Sequence, residues 1–281
     1  MISGQWLTGK KPRDCITLQK NNSLNIHPVK IAFFDSGVGG LTVLKEAMLR
    51  MPEEEYIYYG DSENAPYGTK TKEEIQQLVF RAVEFLSKYE LKALVLACNT
   101  ATSVAVDELR KRYTFPILGM EPAVKLAVKN NRQQKILVCA TNLTLKEGKL
   151  NQLVLNLNAR EMVEYLPLQD LVMYAEHFEF SSPAVMNYLE KKLAPINWNE
   201  FDSIVLGCTH FIYFKSLLQK YIPTWVQILD GNEGTVNNLC SKIQPNTSSD
   251  SVNTEYFISG KAADPIFFNR YLQFLDHTAK V

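Results

Sequence analysis

The chain has 281 residues, 46% of them hydrophobic and 21% charged, with 30 Lys+Arg balanced by 30 Asp+Glu. Zero net charge argues against nucleic acid as a partner, and no apolar run approaches the ~18 residues needed to span a bilayer. Five cysteines with no CxxC pair and no regular spacing read as reduced thiols of a cytoplasmic protein.

Residues 1–29 are mostly polar, have no apolar stretch following their charges as a secretory signal would, and read as a flexible N-terminal extension. Ile31-Ala32-Phe33-Phe34 is a short buried strand, followed by a Gly-rich turn and a helical pattern at 41–50 that stops before Pro52. Further strands are expected at 55–59, 93–97, 115–119, 135–139, 162–166, 203–207, 225–229 and 255–258. Helices are expected at 72–89, 101–113, 121–130, 183–193, 211–221, 232–243 and 264–276. Apolar strands alternating with helices imply an α/β fold of parallel sheets flanked by helices.

The two halves repeat. Ala93-Leu-Val-Leu-Ala-Cys98-Asn99-Thr100 is echoed by Ser203-Ile-Val-Leu-Gly-Cys208-Thr209-His210. Asp35 and Thr141 each follow a first apolar strand, 63 and 67 residues before the respective cysteine, and second strands end near Asp61 and Leu168. Such agreement implies internal duplication into two similar lobes. Ligands of parallel sheets bind at the carboxyl ends of strands, so Asp35, Cys98, Thr141 and Cys208 would meet at one cleft.

Two strand-end thiols suit proton removal from one face of a carbon and delivery to the other. The helix start after Cys98 favours negative charge and is expected to lower its thiol pKa toward neutrality. A cysteine that merely fills the core is the ordinary alternative, and Cys15, Cys139 and Cys240 are read that way or as uninvolved. His210 can hold or relay the Cys208 proton, or simply cap the next helix. Zinc is disfavoured because nothing near Cys208 and His210 completes a four-ligand set.

Asp35-Ser36-Gly37-Val38-Gly39-Gly40 could present backbone N–H groups to an anion. One rival reading is a nucleotide-binding regulatory protein, with Asp61 as a ribose ligand. Thr42 replaces the third glycine of that fingerprint, so a carboxylate-binding turn fits better. Ala65-Pro66-Tyr67-Gly68 is either an ordinary turn or part of the same cleft.

These motifs together resemble the glutamate racemases of the aspartate/glutamate racemase superfamily: FDSGVGGLTVL at 34–44, APYGTKT at 65–71, ACNTATS at 97–103, GMEP at 119–122 and LGCTH at 206–210. The resemblance implies cofactor-independent, metal-free interconversion of L- and D-glutamate, supplying D-glutamate for peptidoglycan. It casts Cys98 and Cys208 as the two proton donor/acceptors, with Asp35 and His210 assisting. Asp35, Ser36, Tyr67, Gly68, Asn99, Thr100, Thr209 and His210 become substrate contacts, with Thr141 and Thr144 on a substrate-facing turn. The family's Val-Pro-Leu-Val-Glu segment, whose Glu assists the second cysteine, is Leu166-Pro-Leu-Gln-Asp170 here, so the resemblance puts Asp170 in that role. It further implies a homodimer and a C-terminal segment returning to the first lobe: lobe one at 30–118 plus 232–281, lobe two at 119–231. An aspartate racemase is the closest rival within the superfamily. His210 stands against it, since aspartate racemases more often carry an acidic residue there.

Overall fold

The computed structural model describes residues 29–132, 134–146, 148–246 and 253–278. All but Val29 of the N-terminal extension, and with it Cys15, lies outside them.

Along the first half, strand β1 (Lys30–Asp35) leads to helix α1 (Leu41–Arg50), β2 (Tyr56–Gly60), α2 (Lys72–Leu86), β3 (Leu91–Leu96), α3 (Asn99–Arg112), β4 (Ile117–Gly119) and α4 (Val124–Asn130). The second half runs β5 (Lys135–Ala140), α5 (Asn142–Lys146), α6 (Gly148–Asn156), β6 (Val163–Pro167), α7 (Asp170–Glu176), α8 (Pro183–Leu193), β7 (Phe201–Leu206), α9 (Lys215–Leu218) and β8 (Gln227–Asp230). The chain ends with α10 (Asn232–Lys242), β9 (Thr254–Ile258), β10 (Lys261–Ala262) and α11 (Pro265–Thr278).

Local chemistry sets many of these boundaries. Thr71 and Glu74 form a reciprocal capping box at the start of α2, whose Ile75, Val79, Ala82, Val83 and Leu86 make one buried stripe. Ser182 caps α8, and Pro183 occupies its first turn, where the missing N–H costs nothing. The expected helix at 211–221 is instead a 3₁₀ turn, Thr209–Phe214, continued by the short α9. Phe211, Tyr213 and Phe214 are all buried there, and such bulky side chains lose rotamer freedom against a regular α-helical turn.

Two sheets result. The first has strand order β10-β9-β2-β1-β3-β4 and the second β6-β5-β7-β8. The first four strands of each half therefore lie in the same order, β2-β1-β3-β4 and β6-β5-β7-β8, and all these pairings are parallel. Even an irregularity recurs: the β1–β3 register slips between Lys30 and Ile31, and the β5–β7 register between Lys135 and Ile136. The register makes Phe34 equivalent to Cys139, since each carbonyl accepts at 2.7 Å from the N–H of the residue before a cysteine, Ala97 or Gly207. Cys98 and Cys208 are thus equivalent, as the sequence spacing implied. Asp35 is equivalent to Ala140, not to Thr141, which lies one position further on.

Strand faces divide the core into three clusters. Ile31 and Phe33 of β1, together with Leu137 and Cys139 of β5, face a shared cluster that also takes in α1, α7, α10 and α11. Ala32 and Phe34 face a cluster formed with α2 and α3, while Ile136 and Val138 face one formed with α4 and α6. Burial on both faces explains the near-continuous apolar runs of these strands. β9 pairs in parallel with β2, so the segment after α10 adds to the first sheet.

Candidate active site

The carboxyl ends of β1, β3, β5 and β7 converge where the two sheets face each other. Asp35 is fully buried, and Cys98 and Cys208 are only 5% and 7% exposed. The thiols are close enough for their charges to interact.

Each thiol has its own surroundings, although the strands carrying them are equivalent. Cys98 is the N-cap of α3: its Sγ accepts from the Ala101 N–H at 3.4 Å and donates to the Ser36 hydroxyl at the same distance. Burial nevertheless pushes the Cys98 thiol up to about 12, with the nearby Asp35 carboxylate adding to the effect and Ser36 and Ala101 opposing it. The expected lowering toward neutrality is therefore corrected: in this closed cleft, desolvation outweighs the helix start.

Cys208 enters a 3₁₀ turn and makes no capping bond. Its Sγ lies 3.8 Å from His210 Nδ1, and His210 Nε2 lies 2.6 Å from Glu176 Oε1. Burial works against charge on the ring, but the bonds to Cys208 and Glu176 prevail and raise the His210 pKa well above its ordinary value. A protonated ring donates from both nitrogens, one to sulfur and one to carboxylate.

Glu176, at the end of α7, is the carboxylate that the sequence reading missed. Asp170 begins α7 and is exposed, six residues away and on a different face of the helix. The assignment of Asp170 beside the second cysteine is thus corrected in favour of Glu176. Glu176 accepts from the Val38 N–H at 2.8 Å and the Ser62 hydroxyl at 2.8 Å, besides facing His210. Its backbone carbonyl accepts from the Tyr271 hydroxyl of α11 at 3.0 Å. The one sequence signal was an acid on an apolar stretch, Met173-Tyr-Ala-Glu176, in a segment not read as helical.

The Gly-rich turn is where the second lobe presses on the first. A Cβ on Gly37 would overlap Glu176, and one on Gly39 would lie 2.5 Å from both His210 Nδ1 and Thr209 Oγ1. The turn's donors are engaged by carboxylates: Gly37 N–H with Asp35 at 3.0 Å, Val38 N–H with Glu176. Thr209 donates to Asp35 at 3.3 Å, and Tyr213 donates to the Val38 carbonyl at 2.8 Å. Burial raises the Asp35 pKa, His210 pulls it down and Glu176 adds to the rise.

Asp61, the ribose ligand of the nucleotide reading, is buried and engaged by Tyr67 at 2.5 Å and Ser259 at 2.6 Å. It orients Tyr67, which is 2% exposed beside Gly68. Thr100, Thr141 and Thr144 form a ring of hydroxyls, 2.9–3.2 Å apart, joining α3 to the β5–α5 turn. Asn99 is half-buried and, with Thr144, borders a groove of about 330 Å³ that continues along α3 and α6. Of the sequence-derived candidates, all but Asp170 gather around this interlobe seam.

Comparison with known proteins points the same way. Residues 42–239 match the Asp/Glu/Hydantoin racemase family. The chain is 48% identical to the glutamate racemase of Halothermothrix orenii over 250 residues, 88% of this chain and 99% of that one. It resembles the crystal structure of glutamate racemase isoform RacE1 from Bacillus anthracis with a TM-score of 0.72 at 32% identity, covering 82% of this chain and 87% of that one. The glutamate racemase of Francisella tularensis, crystallised with D-glutamate, gives a TM-score of 0.74 at 26% identity, covering 88% and 94%.

Proposed function

From the premise that the chain belongs to the Asp/Glu/Hydantoin racemase family, we propose that it interconverts L- and D-glutamate by a two-base mechanism. The observation that carries this reading is the pair of thiols at equivalent strand ends of two sheets with the same strand order.

The chemistry follows from what each group can do. The Cα–H of an amino acid is a very weak acid, so a thiolate must take it while donors stabilise the charge building on the α-carboxylate. One cysteine acts as thiolate and removes the proton. The other, as thiol, returns a proton to the opposite face, and turnover leaves the two protonation states exchanged. Burial favours the protonated Cys98 thiol, while Cys208 faces an imidazole whose pKa is raised by its bonds to Cys208 and Glu176. Asp35 assists Cys98, His210 assists Cys208, and Glu176 positions His210. Ser36, Tyr67, Gly68, Asn99, Thr100, Thr141, Thr144 and Thr209 contact the substrate, Thr209 also steadying Asp35.

In this reading lobe one comprises 30–118 plus 232–281 and lobe two 119–231. The enzyme acts in the cytoplasm as a homodimer and supplies D-glutamate for peptidoglycan. That its relatives are glutamate racemases supports glutamate rather than aspartate as the substrate. Among the described residues no helix is long and apolar enough to cross a membrane.

The test is loss of optical rotation from L-glutamate and from L-aspartate, without added cofactor or metal, in deuterated water. Racemisation of glutamate with deuterium incorporated at Cα is expected. Cys98→Ala and Cys208→Ala should each abolish it while keeping a cooperative thermal transition. Wild-type turnover in either variant, or preference for aspartate, would overturn the reading.

A further inference from the structure

We propose that Gln169 binds the substrate: its side-chain amide donates a hydrogen bond to the carboxylate remote from Cα. This rests on the racemase reading and names a residue for which that reading has no role.

Gln169 lies between β6 and α7, at the same sheet end as the thiols, and is 9% exposed. Its Oε1 lies 3.3 Å from the Asn142 N–H and accepts from it, which fixes the orientation of the amide. Nε2 is consequently turned the other way. It is buried and has no hydrogen-bond partner among the described residues. An unpaired buried donor lowers stability, and Gln169 would be stabilised by an acceptor arriving from outside the chain.

The location says which acceptor. A Cβ on Gly68 would lie 2.3 Å from Gln169 Oε1 and 2.7 Å from Thr141 Cβ. The amide therefore sits in the seam between Gly68 of the first half and Thr141 of the second. The groups bonded around the thiols are Ser36, the Ala101 N–H and His210, with Thr209 on Asp35. None of them bonds Gln169. The reacting carbon must lie between the thiols, so an amide seated between Gly68 and Thr141, with its donor turned away from Asn142, meets the other end of a dicarboxylic amino acid. A neutral amide suits a carboxylate in a buried seam, since it donates without introducing another charge. A diacid shorter by one methylene would fall short of it, so the same contact discriminates by length.

The test uses full-length protein and racemisation kinetics with both enantiomers of glutamate and of aspartate. Gln169→Met conserves volume and removes the donor. It is expected to raise KM for L- and D-glutamate by roughly 10–100-fold while kcat changes less than about threefold, the signature of lost uniform binding. Gln169→Glu, which sets a carboxylate against a carboxylate, should raise KM at least as much. Gln169→Asn retains an amide and should lose less than either. Thermal melts establish that each variant is folded. An unchanged KM in folded Gln169→Met or Gln169→Glu, or a loss confined to kcat or to melting temperature, would overturn the proposal. Wild-type protein inactive on glutamate would instead overturn the racemase reading, so the two failures are distinguishable.

Discussion

His210 stands between a sulfur at 3.8 Å and a carboxylate at 2.6 Å, and that placement determines its charge. Glu176→Gln keeps the shape of the side chain but removes the negative partner. Racemisation is expected to fall roughly 10–100-fold, less than on loss of a base itself. The pH dependence carries the sign. A histidine whose pKa is raised on folding stabilises the protein fully below its unfolded value of roughly 6.5, and that contribution disappears as pH rises through the folded value. The melting-temperature difference between wild type and Glu176→Gln should therefore be greatest below about pH 6.5 and shrink as pH rises above it. Equal differences at all pH values would mean that Glu176 only braces the Gly-rich turn through Val38 and Ser62.

The turn between β1 and α1 shows how one short element can serve two purposes. Its glycines resemble a phosphate-binding loop, yet its N–H groups hold Asp35 and Glu176, and its missing Cβ atoms admit Thr209, His210 and Glu176. Gly39→Ala places a methyl 2.5 Å from His210 and Thr209 and so must push the second lobe away. A loss of about 1–3 kcal/mol in stability is expected, along with more than tenfold in activity, measured by denaturant unfolding and by racemisation rate. Gly148→Ala is the control, since its added Cβ meets nothing within 4 Å and it begins the helix α6. It should leave activity intact and alter stability by no more than about 1 kcal/mol.

The molecule as a whole holds Asp35 and the two strand-end thiols out of water. Asp35 is fully buried, and both thiols are nearly so. The shared apolar cluster that includes α1, α7 and α11 draws on both sheets and ties the two halves together. A ligand that binds between them stabilises the native state by mass action. D-glutamate at a hundredfold excess over its Kd should add about 2.7 kcal/mol and raise the melting temperature by several degrees, while NAD and ATP should not. Stabilisation by a nucleotide alone would revive the nucleotide reading.

Periodicity and punctuation were sufficient for the α/β alternation, the duplicated lobes and the two cysteines, because strand-end thiols after apolar runs are local patterns repeated at matched spacing. They were sufficient too for placing Asp35 and His210 at the cleft, since both lie within four residues of a strand end. They failed where partners come from distant elements. Glu176 reaches His210 only because α7 crosses the seam and Tyr271 of α11 holds its backbone, and nothing near residue 176 in the chain announces either contact. Asp170, aligned by motif, faces solvent because helix geometry places it on another side of α7. The raised Cys98 pKa likewise reversed a local rule: the helix start is present, but burial and Asp35 are products of the closed cleft. Local sequence chose which residues stand at the strand ends, since backbone pattern is read over a few residues. Which carboxylate meets His210, which charge that ring carries and which amide is left unpaired in the seam were decided by packing one lobe against the other.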